Sequence, residues 1–432
     1  MTRQVYREDG AAKEALAILK VLLHDYRPRD FAICFWDGSQ WPAETGSPRF
    51  RLIFRHPDAL RCMLAKTTTG LPACEAYICD NLDIEGSLEA AVPVAYHLMG
   101  RRWPASTVLR VGWKLLRLSA SGAPRRNGRQ PARLHGEPHS IERDRQAVTY
   151  HYNLSNDFYA LWLDRRMTYS CAYFEAADED LDPAQSRKID YLCRKLRLSP
   201  GENLLDIGCG WGGLVIHAAQ HYGVNALGIT LSSNQAELAN ERIAEAGLLN
   251  RCRVRVCDYR DLNETGTFDK LVSVGMFEHV GERRLPLYFQ RAWQLLRPGG
   301  VFLNHGIARP EIDRQSAAPT FMTRYVFPDS ELVPINRTLH YAEEAGFEVR
   351  DVESLREHYT LTLRHWARRL ELHHDEILQV IDEPTYRVWR LFLSGSAYGF
   401  SAGWLNVYQT LLVKPDKGRS GLPLTRADWY RS

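Results

Sequence analysis

The sequence lacks any uninterrupted apolar stretch that approaches the ~20 residues a membrane-spanning helix needs. Its first thirty residues mix charges into a helical pattern and lack the apolar core and small-residue cleavage site of a signal peptide. The nine cysteines are an odd number without a paired CxxC array, so the sequence predicts reduced thiols and no metal site. From these absences we expect a cytoplasmic protein that is neither an integral membrane protein nor a disulfide scaffold.

The net charge of the chain is also small. The 432 residues carry a formal net charge of +3, and hydrophobic residues make up 45% and charged residues 25%. The length predicts two or three domains, the balance of residue types is typical of a globular protein, and the small net charge does not indicate nucleic-acid binding. However, residues 117–145 hold seven arginines against three acidic residues, in a stretch rich in Gly, Pro, Ser and Ala. That composition predicts a flexible basic linker, which is either a solvated tether or a segment attracted to anionic lipid head groups.

The regions before and after this linker differ in pattern. The first shows a strand candidate at 50–56 and helical patterns around 57–65 and 86–99. From 180 to 310, short apolar runs alternate with helical patterns, which predicts βαβ units and a mainly parallel sheet. The predicted strands are 204–208, 225–230, 253–258, 270–275 and 301–307, and the helices between them include 234–245 and 285–296. Further on, 355–400 is predicted to be helical and 408–414 to be a last edge strand.

A glycine-rich turn is the strongest local signal. Leu204-Leu205-Asp206-Ile207-Gly208-Cys209-Gly210-Trp211-Gly212-Gly213 is a buried strand that feeds a tight turn and opens a helix. Such glycines let the backbone approach a ligand closely. A nicotinamide site expects an acid at the end of the second strand, but that strand ends in Gly228-Ile229-Thr230. Acids stand instead at Asp206, in the first strand, and at Asp258, which is well placed to receive the adenine amino group of a nucleoside.

The turn resembles the (D/E)xGxGxG motif of class I S-adenosylmethionine-dependent methyltransferases. The longer string LDIGCGWGG, with YHYNLSNDFY (150–159) and YSCAYF (169–174), resembles the cyclopropane-fatty-acyl-phospholipid synthase family, which includes the mycolic acid cyclopropane synthases. Further family strings are GITLSSNQ (228–235), DYRDL (258–262), VSVGMFEHVG (272–281), LNHGI (303–307) and HYTLTLRHW (358–366). The resemblance is close from about 148 to 414 and loose before the linker, where YICDNLDIEGSL (77–88) carries it.

The resemblance implies a fold and a division into domains. The expected fold is α/β, a Rossmann-like class I methyltransferase with a mainly parallel seven-stranded sheet and helices on both faces, plus a smaller α+β amino-terminal domain. The expected boundaries are 1–116 for a lipid- or membrane-associating domain, 117–147 for the linker, 148–414 for the catalytic domain and 415–432 for a tail. For Trp429 and Tyr430 in that tail, packing on the body and contact with lipid both stay open.

The family's cofactor contacts match residues of the quoted motifs. The residues implied to bind S-adenosylmethionine are Tyr169, Ser170, Asp206, Gly208, Cys209, Gly210, Trp211, Gly212, Thr230, Gln235, Asp258, Tyr259 and Arg260. Thr230 and Gln235 offer neutral hydrogen bonds to the ribose and methionine ends, and Tyr259 can flank the adenine ring.

The family's active centre holds a bicarbonate ion, and each matching residue is present. The implied set is Cys171, Glu278, His305 and Tyr359 with the backbone of Ile307. Methyl transfer to an isolated double bond leaves a carbocation, and a small oxyanion can stabilise this cation and accept the proton whose loss closes a ring. Many relatives carry a late Cys in a YLxxCA string, but Ser396 stands here, which weakens covalent catalysis. Two roles stay open for four aromatic residues, which either line an acyl channel or belong to the ordinary core: Tyr173, Phe174, Tyr325 and Phe327.

The implied activity is a cyclopropane synthase acting on cis-unsaturated acyl chains of intact phospholipids. We expect a homodimer that works peripherally at the inner face of the cytoplasmic membrane, with no nucleic-acid partner. Three alternatives stay open: a fatty-acyl C-methyltransferase giving methyl- or methylene-branched chains, a small-molecule N-methyltransferase like the plant members of the family, and a non-catalytic lipid-binding relative. The intact cofactor loop and the full bicarbonate set speak against the last.

Overall fold

The computed structural model describes residues 10–64, 70–99, 103–118, 130–152, 154–311 and 320–430. Within them the chain divides into two compact units. The first combines the described residues of Met1–Pro131 and Gln315–Val326 with Ile381–Tyr398, and the second contains the described remainder. None of the described helices is both long and apolar enough to cross a membrane.

The first unit is an α+β structure built on a four-stranded sheet. Its elements are α1 (Gly10–Leu22), β1 (Ala32–Cys34), β2 (Gln40–Trp41), β3 (Phe50–Phe54), α2 (Pro57–Met63), α3 (Leu71–Ile78), β4 (Leu82–Gly86), α4 (Leu88–Met99) and α5 (Ala105–Arg117). The sheet order is β2-β1-β3-β4, with β1 and β3 parallel and the outer strands antiparallel to their neighbours. Side chains such as Ile33, Phe50 and Phe54 form its core with apolar residues of the helices.

The second unit contains the larger sheet. Its elements are α6 (Ile141–Tyr152), α7 (Asn156–Ala160), α8 (Leu181–Leu196), β5 (Asn203–Ile207), α9 (Gly213–Tyr222), β6 (Asn225–Thr230), α10 (Ser233–Glu245), β7 (Cys252–Val256), β8 (Phe268–Val274), α11 (Leu285–Leu295), β9 (Leu296–Ala308), α12 (Ile335–Glu344), β10 (Glu348–Ser354), α13 (Arg356–Leu372), α14 (His374–Ile377) and β11 (Asn406–Val413). A last helix, α15 (Glu383–Ser401), lies mostly in the first unit and ends in the second.

The order of the large sheet is β10-β11-β9-β8-β5-β6-β7. Strands β5 to β9 are parallel, and β11 is antiparallel to both β9 and β10. Successive residues of β5 enter opposite cores, because Leu204 packs with apolar residues of α8 and α9 whereas Leu205 packs with those of α11. The predicted seven-stranded, mainly parallel sheet with helices on both faces is confirmed.

One strand was placed wrongly by sequence pattern. The segment 408–414 was expected at the edge, but β11 pairs on both sides and β10 forms the edge beside it. The β10 sequence EVRDVES is mostly polar, which suits an edge strand and hides it from a search for apolar runs.

The partition into units differs from the expected domain boundaries in two places. Part of the expected linker 117–147 lies outside the described residues, but Ile141–Tyr152 is a helix, not a flexible tether. It is held because Arg143 pairs with Asp329 and Asp144 accepts a hydrogen bond from Arg260. Most of α15, expected in the catalytic domain, belongs to the first unit instead.

Two arginines account for the position of α15. Arg387 donates to the Tyr77 carbonyl at 2.9 Å and to Asp80 at 2.7 Å, and Arg390 donates to the Ile84 carbonyl at 2.8 Å. These partners are about 300 residues away in sequence, so local pattern does not reveal them.

The carboxy-terminal tail packs on the body of the second unit. Trp429 is buried in the core that contains α8 residues, Asp428 pairs with Arg197, and the Tyr430 hydroxyl lies 3.2 Å from that of Tyr191. Of the two roles left open for this tail, packing is the one observed.

Candidate active site

A cleft opens at the carboxyl ends of β5, β6 and β8, where the direction of strand order reverses. This is the position at which open α/β sheets bind ligands. The glycine turn after β5 forms one wall, and it needs glycine for steric reasons. Gly208 has a φ of +86°, and a Cβ there would lie 2.8 Å from Cβ of Met276. A Cβ on Gly228 would lie 2.7 Å from Sγ of Cys209.

Nearly all of the expected cofactor residues line this cleft. They are Tyr169, Ser170, Asp206, Gly208, Cys209, Gly210, Trp211, Thr230, Gln235, Asp258, Tyr259 and Arg260. The exception is Gly212, which immediately precedes α9, while Gly213 takes a place in the lining. Thr230 and Gln235 are joined by a 2.7 Å hydrogen bond from the threonine hydroxyl to the glutamine carbonyl oxygen.

Asp258, which follows β7, is paired with Arg260. Arg260 donates to both of its carboxylate oxygens, from Nε at 2.8 Å and from Nη2 at 2.6 Å. The same guanidinium donates to Asp144 on α6 at 2.8 Å. Reception of an adenine amino group by Asp258 stays a prediction. Asp144 also lines the cleft, and sequence reasoning missed it because it lay in the expected linker.

A buried lysine, Lys188, lines the deep end of the cleft. Its Nζ donates to Oγ of Ser170 at 2.8 Å, and burial lowers the pKa of this lysine to about 8. Burial raises the pKa of Asp206 to about 7, against the opposing effect of the Lys188 charge. Oδ1 of Asp206 is buried and has no hydrogen-bond partner among the described residues. Sequence reasoning missed Lys188, although a lysine in the apolar stripe of α8 is a usable signal.

The expected bicarbonate residues form a second group beside the cleft. Glu278 lies in the short helical turn Phe277–His279 after β8, and its Oε1 accepts the backbone N–H of Ile307 at 2.7 Å. His305 stands two residues earlier on β9. Oε2 of Glu278 and Nε2 of His305 are both buried without a hydrogen-bond partner in the described part of the chain.

Tyr359 and Cys171 complete this group. Burial raises the pKa of the Tyr359 phenol well above the ordinary value, and the nearby Cys171 and Glu278 add to the effect when they are ionised. The Cys171 thiol donates to the Leu355 carbonyl at 3.7 Å, one helical turn before Tyr359, and burial raises the pKa of this thiol strongly. A thiol in this state is a contact group and not a nucleophile.

Burial favours the uncharged forms of Glu278 and His305. It raises the pKa of Glu278 to about 7, partly offset by the Ile307 N–H, and lowers that of His305 to about 3, with the Lys188 and Lys195 charges adding to the effect. Below pH 7 the group therefore offers a carboxylic acid, a neutral imidazole and a phenol. These groups can donate hydrogen bonds to a small oxyanion, and the two orphaned polar atoms fit one.

An aromatic wall connects the cleft to the second group. The rings of Tyr169 and Trp366 lie 5.2 Å apart, those of Trp366 and Tyr359 lie 6.0 Å apart, and Phe400 lies 4.6 Å from Tyr359. On the other side, His151 stacks on Tyr169 at 5.8 Å.

Of the four aromatics expected to line an acyl channel, Phe327 joins this wall by stacking on His151 at 4.0 Å. Tyr173 and Phe174 stack on His358 and His365 of α13 instead. Tyr325 belongs to the first unit. In the described ranges no cluster of His, Cys, Asp and Glu is arranged to hold a metal ion.

Comparison with known proteins gives consistent matches. The model of the mycolic acid cyclopropane synthetase family matches residues 139–410, and a domain of unknown function matches 18–101. A probable fatty acid methyltransferase of Pseudomonas putida is 41% identical over 400 residues, which is 92% of this chain and 95% of that protein. Tuberculostearic acid methyltransferase of Mycobacterium tuberculosis is 39% identical over 288 residues, 64% of this chain and 66% of that one.

A solved structure matches the same region. The mycolic acid cyclopropane synthase CmaA1, in complex with SAH and CTAB, superposes with a TM-score of 0.59 at 36% identity. The match covers 62% of this chain and 97% of that one.

Proposed function

Because this chain belongs to the mycolic acid cyclopropane synthetase family and is an S-adenosylmethionine-dependent methyltransferase, we propose that it is a cyclopropane synthase acting on cis-unsaturated acyl chains of phospholipids. The observation that carries the proposal is the second group of residues. Glu278, His305 and Tyr359 form a buried polar set, with two unpartnered polar atoms among the described residues, that aromatic rings join to the cofactor cleft.

When bound, S-adenosylmethionine would supply an electrophilic methyl group and leave as S-adenosylhomocysteine, with the electron pair of the broken S–CH₃ bond on sulfur, and a bicarbonate ion held by the second group would supply the base for the later proton loss. The alkene contributes the electron pair that forms the new bond, and a carbocation is left on its other carbon. Tyr169 and Trp366, whose rings lie 5.2 Å apart, would shield this carbon from water and stabilise its positive charge. Loss of a proton from the transferred methyl then closes the three-membered ring, so the chain gains one CH₂ unit and one proton is released.

The residues that would hold the bicarbonate have separate tasks. Within this group, Oε2 of the protonated Glu278 and Nε2 of His305 are buried without a hydrogen-bond partner among the described residues, and both can donate to an oxyanion. Tyr359 adds a phenol, and its high pKa keeps the proton on the oxygen. Ile307 acts indirectly, because its N–H fixes the Glu278 carboxyl group. Cys171 lines this group and takes no covalent part.

A second candidate function is a fatty-acyl C-methyltransferase with a branched product. It is favoured by the P. putida relative, a probable fatty acid methyltransferase that matches 92% of this chain. The first step would be the same, but a hydride shift and loss of a different proton would give a methyl- or methylene-branched chain. An N-methyltransferase has weaker support, because coclaurine N-methyltransferase is 22% identical to this chain and shares the fold alone.

The proposal places the substrate in the phospholipids of the inner face of the cytoplasmic membrane. The homodimer expected from the family resemblance stays a prediction.

The deciding experiment is expression of this chain in a bacterium that makes no cyclopropane lipids, followed by gas chromatography and mass spectrometry of its acyl chains. Chromatographic separation is needed because a ring and a methylene branch both add one CH₂ unit. A ring product supports the proposal, and a branched product moves the function to the second candidate. Unchanged lipids, with S-adenosylmethionine still bound by the purified protein, would contradict both. Glu278→Gln serves as the inactive control.

A further inference from the structure

Helix α5 (Ala105–Arg117) has one face that holds it to the first unit. Val111 is 8% exposed and packs in the core of this unit, next to Leu115 and the residue that follows the helix, Leu118. Nζ of Lys114 pairs with Oε1 of Glu14 on α1 at 2.8 Å. The position of the helix on its unit is therefore fixed by apolar packing and by an ion pair.

The opposite face of α5 exposes three large apolar side chains. Leu109 is 74% exposed, Trp113 62% and Leu116 77%. Their spacing of four and three residues places them in one line along the helix. Single exposed apolar residues are ordinary, but a line of three that includes a tryptophan is a candidate interaction surface. We call Leu109, Trp113 and Leu116 the apolar line.

Two basic residues of α5 lie beside the apolar line. Arg110 and Arg117 are exposed on the same helix, and the Arg117 guanidinium lies 3.9 Å from the centre of the Trp113 ring. The sequence contains no acidic residue between Glu89 and Glu137. In that interval it has Lys114 and the arginines 101, 102, 110, 117, 125, 126, 129 and 133.

We propose that α5 is a membrane anchor that lies in the plane of an anionic phospholipid surface. The apolar line would enter the boundary between head groups and acyl chains, and Arg110 and Arg117 would contact lipid phosphates. An amphipathic helix with Leu and Trp on one side, flanked by basic residues, is the kind that binds at this interface. A second copy of the chain fits less well, because two such surfaces would bring like charges together with no acidic residue on the helix to offset them.

The inference rests on the proposed function only for the role of the anchor, which would bring the enzyme to acyl chains that lie in a bilayer. Binding to vesicles requires no turnover. Vesicle binding and lipid modification are therefore separate measurements, and each can fail while the other succeeds.

The test is co-sedimentation of the full chain with vesicles of equal parts phosphatidylcholine and phosphatidylglycerol, and with vesicles of phosphatidylcholine alone. We expect wild type to bind the anionic vesicles. The L109S/W113S/L116S variant should bind them at least roughly tenfold more weakly, because its apolar insertion is lost. The R110Q/R117Q variant should lose roughly fivefold per residue on anionic vesicles and little on neutral ones.

A matched control removes exposed leucines elsewhere. Leu249 and Leu372 are 72% and 67% exposed in the second unit, and the L249S/L372S variant should bind vesicles as wild type does. Circular dichroism and thermal melting check that each variant is folded, and the charge variant tests the surface without altering the apolar line. Activity on detergent-dispersed phospholipid should be equal in all variants.

Three results would overturn the anchor: no binding of wild type to anionic vesicles, full binding by the serine variant, or a serine variant whose only change is a lower self-association in analytical ultracentrifugation. If binding depends on α5 but no lipid is modified, the anchor stands and the proposed function fails.

Discussion

The side-chain amide nitrogen of Gln409 lies 3.2 Å from Nδ1 of His305, and the two residues are direct partners across the antiparallel strands β9 and β11. Both side chains are buried. An amide N–H that donates to Nδ1 leaves the single proton of a neutral imidazole on Nε2. Since burial lowers the pKa of His305 to about 3, the ring is neutral in the working range of pH. Gln409 therefore makes Nε2 of His305 a hydrogen-bond donor toward the second group.

Replacing Gln409 by Leu should lower kcat by roughly 10- to 100-fold, because the tautomer of His305 is no longer fixed. The KM for lipid should change little. Nitrogen NMR of the labelled imidazole should show mixed protonation of Nδ1 and Nε2 in the variant and protonation of Nε2 in wild type.

The neighbouring residue offers a matched control. Thr410 is also buried on β11 and donates to the Asn304 carbonyl at 3.1 Å, so Thr410→Val removes a buried hydrogen bond without touching His305. If Thr410→Val lowers kcat as much as Gln409→Leu, the effect of Gln409 is structural and the tautomer argument fails.

Replacing Glu278 by Gln should reduce turnover by roughly a hundredfold or more, because an amide cannot reproduce the acid that faces the bound anion. The affinity for S-adenosylmethionine should stay within about threefold, since Glu278 is not among the residues that line the cofactor cleft. Single-turnover kinetics and titration calorimetry measure the two quantities. A large loss of cofactor affinity would show that Glu278 acts on the cofactor instead.

The same residue should make stability depend on pH. In the folded protein the pKa of Glu278 is raised to about 7, above the ordinary 4.5, so the folded state holds this proton more tightly. The corresponding stabilisation is complete below pH 4.5, declines as pH rises through 7 and is absent above it. Compared with Glu278→Gln, wild type should lose about 3 kcal/mol of unfolding free energy across this window.

Chemical denaturation of both proteins at several pH values, in buffer free of carbon dioxide, measures this difference. Glu344→Gln, which replaces a glutamate whose side chain is 57% exposed, serves as the matched control. A constant difference between wild type and Glu278→Gln would mean that Glu278 ionises normally.

The sequence predicted the parts of the fold in which burial is continuous. Strands β5, β6, β8 and β9 were found because most of their residues are buried, which produces short apolar runs. Strand β7, at the other edge of the sheet, was found because Val alternates with Arg in its sequence. The glycine turn was found because its backbone geometry excludes side chains. Strand β10 was missed because an edge strand tolerates polar residues, and helix α6 was missed because its sequence is charged.

The same reasoning explains which site residues escaped. The motif residues were predicted through resemblance, and the structure places most of them along one cleft. Gln409 carries no local signal, because its role follows from the register of β11 against β9, about 100 residues away in sequence. Asp144 and Lys188 likewise could not be assigned to the site from sequence, because their partners Arg260 and Ser170 come near them only in the folded chain.

Lys188 and Lys195 allow a paired test, because both are buried on α8 seven residues apart. Lys188→Met should weaken S-adenosylmethionine binding by roughly tenfold or more, since Ser170 loses its hydrogen bond and Asp206 its neighbouring charge. Lys195→Met leaves Asp351 without one of its partners, so it should lower stability by about 3 kcal/mol and leave cofactor affinity near wild type. Equal affinity losses in the two variants would indicate a general effect of damage to α8.

Removal of residues 1–131 should leave the cofactor cleft intact but destabilise the chain, because α15 would lose the partners of its arginines. Arg387 is 6% exposed and is satisfied by the Tyr77 carbonyl and by Asp80, both of which the truncation deletes. Removal of the partners of a buried charge costs about 3–5 kcal/mol, which corresponds to a fall in melting temperature of about 10 °C. Differential scanning calorimetry measures this fall, and R387L/R390L in the truncated chain should recover part of it. A truncated chain that melts like the full chain would show that Ile381–Tyr398 is stable without the amino-terminal region.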